Sequence, residues 1–208
     1  MVRLRDAELD ADEHVRPLHD PEPIPHARSM APTPDTCESG DMRVQLKLVL
    51  DCPPDAAWEA IRSPDVFREV YHPLANVEPI DPPTFPERWP DGPTLLRVTS
   101  ISGLVPLGEQ VMDLARAERD GVRILEDRGH AVTGPLAALT LWRHRMAVSA
   151  IDAPSTGPGQ RTATLYRDRL DVRGPTSVPL WPVLWELWQY RGGRLKKLAP
   201  TFARRFGR

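Results

Sequence analysis

The stretch from Met42 to Tyr71 limits the folds open to this chain more than any other. Val44, Leu46, Leu48 and Leu50 alternate with Arg43, Gln45 and Lys47, a period of two that describes a strand with one buried and one wetted face. Cys52-Pro53-Pro54 ends it. Pro54 suits the first turn of a helix because the N–H it lacks would have no partner there, and Asp55 places a negative charge at the positive helix start. Trp58 and Ile61 then share one helical face. Ser63-Pro64-Asp65 repeats the arrangement, with Ser63 as N-cap, Pro64 as first helical residue and Asp65 beside the dipole. Phe67, Val70 and Tyr71 follow as an apolar stripe at helical spacing.

The remaining strands lie further along the chain. Short or alternating apolar runs predict them at 76–80, 94–101, 109–118, 122–128, 139–151 and 162–173. Asp120-Gly121 is a type I′ hairpin signal between the fourth and fifth strands. The Pro-rich segment 81–93 reads as loop, with Phe85 and Trp89 placed to fold back over an opening. After Gly174-Pro175 and Pro179 comes a long helix. Leu180, Leu184, Leu187, Trp188, Arg191, Leu195 and Leu198 share one stripe, and Trp181, Trp185 and Trp188 stand at i, i+4 and i+7. Gly192-Gly193 costs that helix about 1 kcal/mol per glycine relative to alanine, so a kink in a continuous helix is expected. Strand, two helices, antiparallel strands and a final helix make an α+β domain over residues 42–203, with a basic tail at 204–208.

Residues 1–41 are rich in Pro, Asp, Glu and Arg and contain no aromatic residue. Such a segment buries too little apolar area to offset its ordering entropy, so a disordered tail is expected. His14, His19 and His26 within it match no standard metal spacing. The net charge of −2 gives no global field toward nucleic acid. No apolar run reaches the roughly 20 residues of a membrane span. The N-terminus lacks an apolar leader, so Cys37 and Cys52 are expected as free thiols in a cytoplasmic protein. The Ala/Arg/Pro/Asp-heavy composition suits a high-GC bacterial source.

Chemistry-bearing residues concentrate on the last two strands. His144 and Asp168 fall on the faces opposite Arg143, Arg145, Arg167 and Arg169 and so point inward. A hairpin closing Ala150 against Thr162 would set His144 directly opposite Asp168, with Cβ atoms about 5 Å apart. The plainest reading is an internal polar pair that fixes register. A ligand anchor comes second and a proton carrier third. His130 reads as a loop histidine, the tryptophan stripe as core before ligand cage, and Tyr190, Arg191 and Arg194 as surface groups before an anion site. No phosphate loop, nucleophile elbow or metal-ligand spacing is present, so neither metal nor cofactor is expected, and binding is expected ahead of catalysis.

The element order resembles the START-like (SRPBCC, helix-grip) superfamily, which includes aromatase/cyclase-type, lipid-transfer and coenzyme-Q-binding proteins. Gly103/Pro106/Gly108, Asp127/Gly129/His130, Trp142/His144, Tyr166/Asp168 and Tyr190/Arg191 resemble the motif set of a bacterial branch of it. That branch carries bulky basic residues where this chain has Gly192-Gly193. The resemblance implies a curved antiparallel sheet of about seven strands gripping the C-terminal helix, with an apolar cavity between them. Trp142, Met146, Tyr166, Leu170, Leu184 and Trp188 would form its walls, with His144 and Asp168 as orienting polar groups. The expected occupant is a small hydrophobic molecule: a polyketide-like aromatic, an isoprenoid or quinone, or a fatty acyl chain. The alternatives are a cyclase/dehydratase-type enzyme using His144 as proton carrier and a lipid-handling or membrane-touching adaptor. A binding or cyclising role calls for several hundred Å³ of apolar space.

Overall fold

The computed structural model describes residues 42–100, 104–152 and 162–207. The expectations placed on the tail 1–41 with its histidines and Cys37, on Gly103 and on Arg208 lie outside the described residues, as does the Gly/Pro/Ser loop that the sequence suggests at 153–160.

The first strand, β1 (Met42–Leu50), leads into α1 (Pro54–Ile61) and α2 (Pro64–Tyr71), each with proline at its first position. Ser63 caps α2 by accepting from the Val66 N–H at 3.4 Å. Next come β2 (Ala75–Asp81), β3 (Gly92–Ser100), β4 (Val105–Arg119), β5 (Val122–Asp127), the two-residue β6 (His130–Ala131) and a 3₁₀ turn at Pro135–Ala138. The chain finishes with β7 (Leu141–Asp152), β8 (Thr162–Arg173) and α3 (Ser177–Phe206). Asp120 (φ 51°) and Gly121 (φ 74°) both take positive φ between β4 and β5, as a type I′ turn requires. The strands form one curved antiparallel sheet in the order β1-β8-β7-β5-β4-β3-β2. The eighth strand, β6, pairs only with β4, where the sequence suggests a loop around His130.

The apolar stripe of α3 packs on the inner face of the sheet. Leu184, Trp188, Leu195, Ala199 and Phe202 are buried, and the helix also rests on α1 and α2. Each large side chain removed from water contributes roughly 1.5–3 kcal/mol before entropy is counted, which anchors the helix along most of its length. The helix is unbroken at Gly192-Gly193 and runs past 203. Arg204 and Arg205 therefore belong to α3 and not to a separate tail, and Arg205 pairs with Glu69 of α2 at 2.8 Å. Among the described residues no helix is long and apolar enough to cross a membrane.

The two glycines do different things. A Cβ on Gly192 would stand 2.9 Å from Leu46 Cδ1 and 3.4 Å from Leu48 Cδ1, so the missing side chain lets α3 lie close on β1. A Cβ on exposed Gly193 would meet nothing within 4 Å. Gly193→Ala is therefore expected to stabilise the protein by about 0.5–1 kcal/mol. Gly192→Ala should gain less or lose stability, because Leu46 must move. Urea midpoints of the two variants measure the difference, and a destabilised Gly193→Ala would count against this account.

Candidate functional site

Inward-facing residues of β7 and β8 form the floor of the site. The ladder closes at Asp152–Thr162, two residues beyond the pairing expected from the sequence. His144 consequently stands opposite Leu170, and Asp168 opposite Met146. The two polar groups nevertheless meet. Side-chain direction repeats every two residues, so a two-residue offset keeps both on the inner face as diagonal neighbours. His144 Nε2 lies 2.8 Å from Asp168 Oδ1.

Asp168 gathers more than that one donor. Trp188 Nε1 donates to Oδ1 at 3.0 Å, the Tyr166 hydroxyl donates to Oδ2 at 2.7 Å, and Arg191 Nη1 donates to Oδ2. Arg191, read from the sequence as a surface cation, is buried by this pairing. Its Nη2 also donates to the Tyr166 hydroxyl at 3.0 Å and approaches Met146 Sδ at 3.2 Å. The rings of Tyr71 and Trp188 flank the guanidinium at 5.5 and 5.7 Å. Burial would raise the Asp168 pKa, but the charge of Arg191 and the hydrogen bonds from His144 and Tyr166 outweigh it and hold the carboxyl below its ordinary range. Arg191 is likewise held above its ordinary value: burial opposes its charge, and the Asp168 carboxylate more than compensates. Burial pushes the Tyr71 hydroxyl up to about 12.

A second carboxyl stands on the other side of the imidazole. Asp127 is His144's partner in the β5–β7 register. Its Oδ1 accepts from the backbone N–H groups of Asp113 and Gly129, both at 2.9 Å, and its Oδ2 from Trp142 Nε1 at 3.2 Å. Burial raises its pKa, opposed by the N–H groups of Gly129 and Asp113 and the Trp142 indole. Gly129 is forced: a Cβ there would lie 1.8 Å from the Val111 carbonyl oxygen.

Above this floor is a cavity of about 130 Å³, walled by the sheet, α1, α2 and α3. It is smaller than the several hundred Å³ expected, because large side chains fill its ends. Trp89 turns in from the Pro-rich loop and packs edge-on against Phe67 and Phe85, each at 5.8 Å. Trp142 and Trp188 stack edge-on at 6.1 Å at the other end. Trp142, His144, Met146, Leu184 and Trp188 line the space. Tyr166 and Asp168 stand one layer behind it, and Leu170 packs with Val44, Val172, Leu184 and Trp188.

Tyr71, Asp127 and Arg191 also line the cavity and were not assigned to it from the sequence. The signal for Arg191 was its place in the stripe of α3, and for Asp127 the glycine two residues on. His130 and Trp185 are exposed, and neither they nor Trp181 reach the cavity. Tyr190 and Arg194 tie α3 to α2 and its C-terminus, donating to the carbonyls of His72 and Glu69 at 2.7 and 3.1 Å. Cys52 is buried and free, and burial pushes its thiol up to about 11, so it stays protonated at neutral pH. Among the described residues no three His, Cys, Asp or Glu side chains converge as metal ligands.

The chemistry open to His144 follows from its partner. An ionised carboxylate only accepts, so Nε2 must carry the proton, and in the neutral ring Nδ1 is left with a lone pair. Among the described residues Nδ1 has no hydrogen bond. The site therefore offers an oriented acceptor, with the Gln110 amide also in the wall, in mostly apolar surroundings.

No family model and no curated protein matches the sequence. Solved structures do. Protein jhp0584 from Helicobacter pylori superposes with a TM-score of 0.52 at 10% identity, covering 86% of this chain and 99% of that one. The Zhui aromatase/cyclase from Streptomyces sp. R1128 gives 0.51 at 15% identity, over 80% of this chain and 98% of that one. Protein CV1439 from Chromobacterium violaceum gives 0.50 at 14% identity, over 76% and 96%. At such identities the likeness speaks for architecture alone: the chain has the helix-grip fold of START-like proteins.

Proposed function

We propose that the protein binds a small, largely apolar molecule with one polar group, held between the sheet and α3. Trp142, Met146, Leu184 and Trp188 form the walls in this reading and His144 orients the polar group. Tyr166 and Asp168 act through His144, and Leu170 supports the wall from behind. One observation carries the proposal: the cavity is mostly apolar, and its few polar lining groups are Tyr71, Gln110, Asp127, His144 and Arg191, with the indole N–H of Trp89. Apolar pockets with few, placed polar groups are the usual form of small-molecule sites. A volume near 130 Å³ favours a compact ring over a fatty acyl chain. It also weakens the lipid-handling reading, as does the pairing of Arg205 with Glu69.

A cyclase/dehydratase-type activity is the second reading. It is favoured by the Asp168–His144 arrangement, which leaves Nδ1 able to take a proton from a bound molecule, and by the fold shared with an aromatase/cyclase.

Native mass spectrometry of the purified protein, with and without added toluene, tests the proposal alongside Ala60→Leu, which fills the cavity from α1. A bound small molecule, or a rise in melting temperature with toluene, is expected in the native protein and lost in the variant. If neither occurs, and Ala60→Leu is simply more stable, the cavity is a packing defect and the proposal fails.

A further inference from the structure

We infer that the cavity selects a neutral, single-ring molecule whose hydroxyl donates to His144 Nδ1, a phenol in preference to a carboxylic acid. This rests on the binding reading above and narrows it to one ligand chemistry.

The size follows from the space. A cavity near 150 Å³ lined by apolar side chains holds benzene, and this one measures about 130 Å³. Trp142, Trp188 and Trp89 on its walls offer ring edges and faces to an aromatic guest.

The polarity follows from what the pole already contains. Asp168 spends its oxygens on four donors and fixes the Nε2–H tautomer of His144. Both Asp127 oxygens already accept N–H bonds from Asp113, Gly129 and Trp142. The pole thus holds two carboxyls against one guanidinium, and Arg191 is already paired with Asp168. A ligand carboxylate would bring another negative charge into this low-dielectric end and would face the Nδ1 lone pair. A quinone or ether oxygen, having no proton, would also face that lone pair. A hydroxyl donor matches it. The competing attractions are Arg191 Nε and Trp89 Nε1, buried donors without a partner among the described residues, and the amide of Gln110 in the cavity wall, so a preference for the acid or the ether is the outcome that would reveal them.

Calorimetric titration at pH 7 with four probes of similar shape decides the matter: toluene, 4-methylphenol, 4-methylanisole and 4-methylbenzoate. Toluene is slightly smaller than the phenol and the anisole slightly larger, so size alone cannot mimic a donor preference. The phenol should bind about tenfold more tightly than toluene or the anisole, the benefit of one buried neutral hydrogen bond, and the benzoate should bind most weakly. His144→Phe should erase the phenol's advantage over the anisole while toluene still binds. If toluene binds but the phenol is no better than the anisole, or the benzoate binds best, this inference is overturned and the cavity reading survives. If none of the four binds, both fall.

Discussion

Asp168→Ala should destabilise the protein by about 3–5 kcal/mol, the largest loss expected from any single side chain at the site. The substitution leaves the Arg191 guanidinium buried with no counter-charge, and it strips Trp188 Nε1, the Tyr166 hydroxyl and His144 Nε2 of their acceptor. The loss measures a broken pair and not the net worth of the pair, because bringing both charges out of water was itself costly. Asp168→Leu combined with Arg191→Met should therefore recover a large part of it. Urea unfolding at pH 7 compares the three proteins. A cost below about 1 kcal/mol for the alanine variant would mean that Arg191 finds water or another partner. The sign with pH is fixed by the depressed carboxyl pKa in the folded protein. Its contribution is complete above about pH 4, where the unfolded carboxyl is also ionised, and is lost as pH falls below that through the folded pKa. The gap between native protein and variant should accordingly narrow only in acid.

Gly129→Ala is expected to cost about 3 kcal/mol or more, although it adds a single methyl group. The new Cβ would lie 1.8 Å from the Val111 carbonyl oxygen and 2.9 Å from Asp127 Oδ1. The first of these is a clash between backbones that no rotamer relieves. Moving the strand to escape it would pull the Gly129 N–H off Asp127, and Asp127 also holds the Trp142 indole. Loss of stability should thus be accompanied by a changed near-ultraviolet circular dichroism signal from the tryptophans. A variant with native stability and spectrum would show that the β5–β6 corner has room that the structure does not give it. Gly193→Ala, which meets nothing, is the matched control.

What the sequence revealed of the site, and what it hid, both trace to periodicity. Alternation placed His144 and Asp168 on the inner face, and because the period is two, a register error of two residues left that placement intact. The error came from assuming closure at Ala150, whereas β7 and β8 pair to Asp152–Thr162. Pairing depends on a partner strand, and a single strand's pattern does not contain it. Arg191 stood in the apolar stripe of α3, yet its charge argued for solvent. Only the buried carboxylate opposite reverses that argument, and Asp168 lies on another element. Asp127 was hidden for a related reason, since its role rests on backbone N–H groups and an indole from β4, β7 and its own turn. The size of the cavity was beyond reach altogether, because it is set by how far Trp89 and Phe67 turn inward.

The Arg191–Asp168 pair also bears on how a guest of the proposed kind would reach the cavity. Swinging α3 off the sheet would separate the pair, and a penalty near 4 kcal/mol leaves such an opened state at roughly one molecule in a thousand. Arg194 and Tyr190 fasten the same helix to the neighbouring α2, and Arg205 does so further along. The helix therefore behaves as a fixed wall, unlike a door. In the binding reading proposed above, entry is then left to the end of the sheet where Leu107 and Leu136 border the cavity. A guest bound as proposed would then exchange without the long helix having to let go of the sheet.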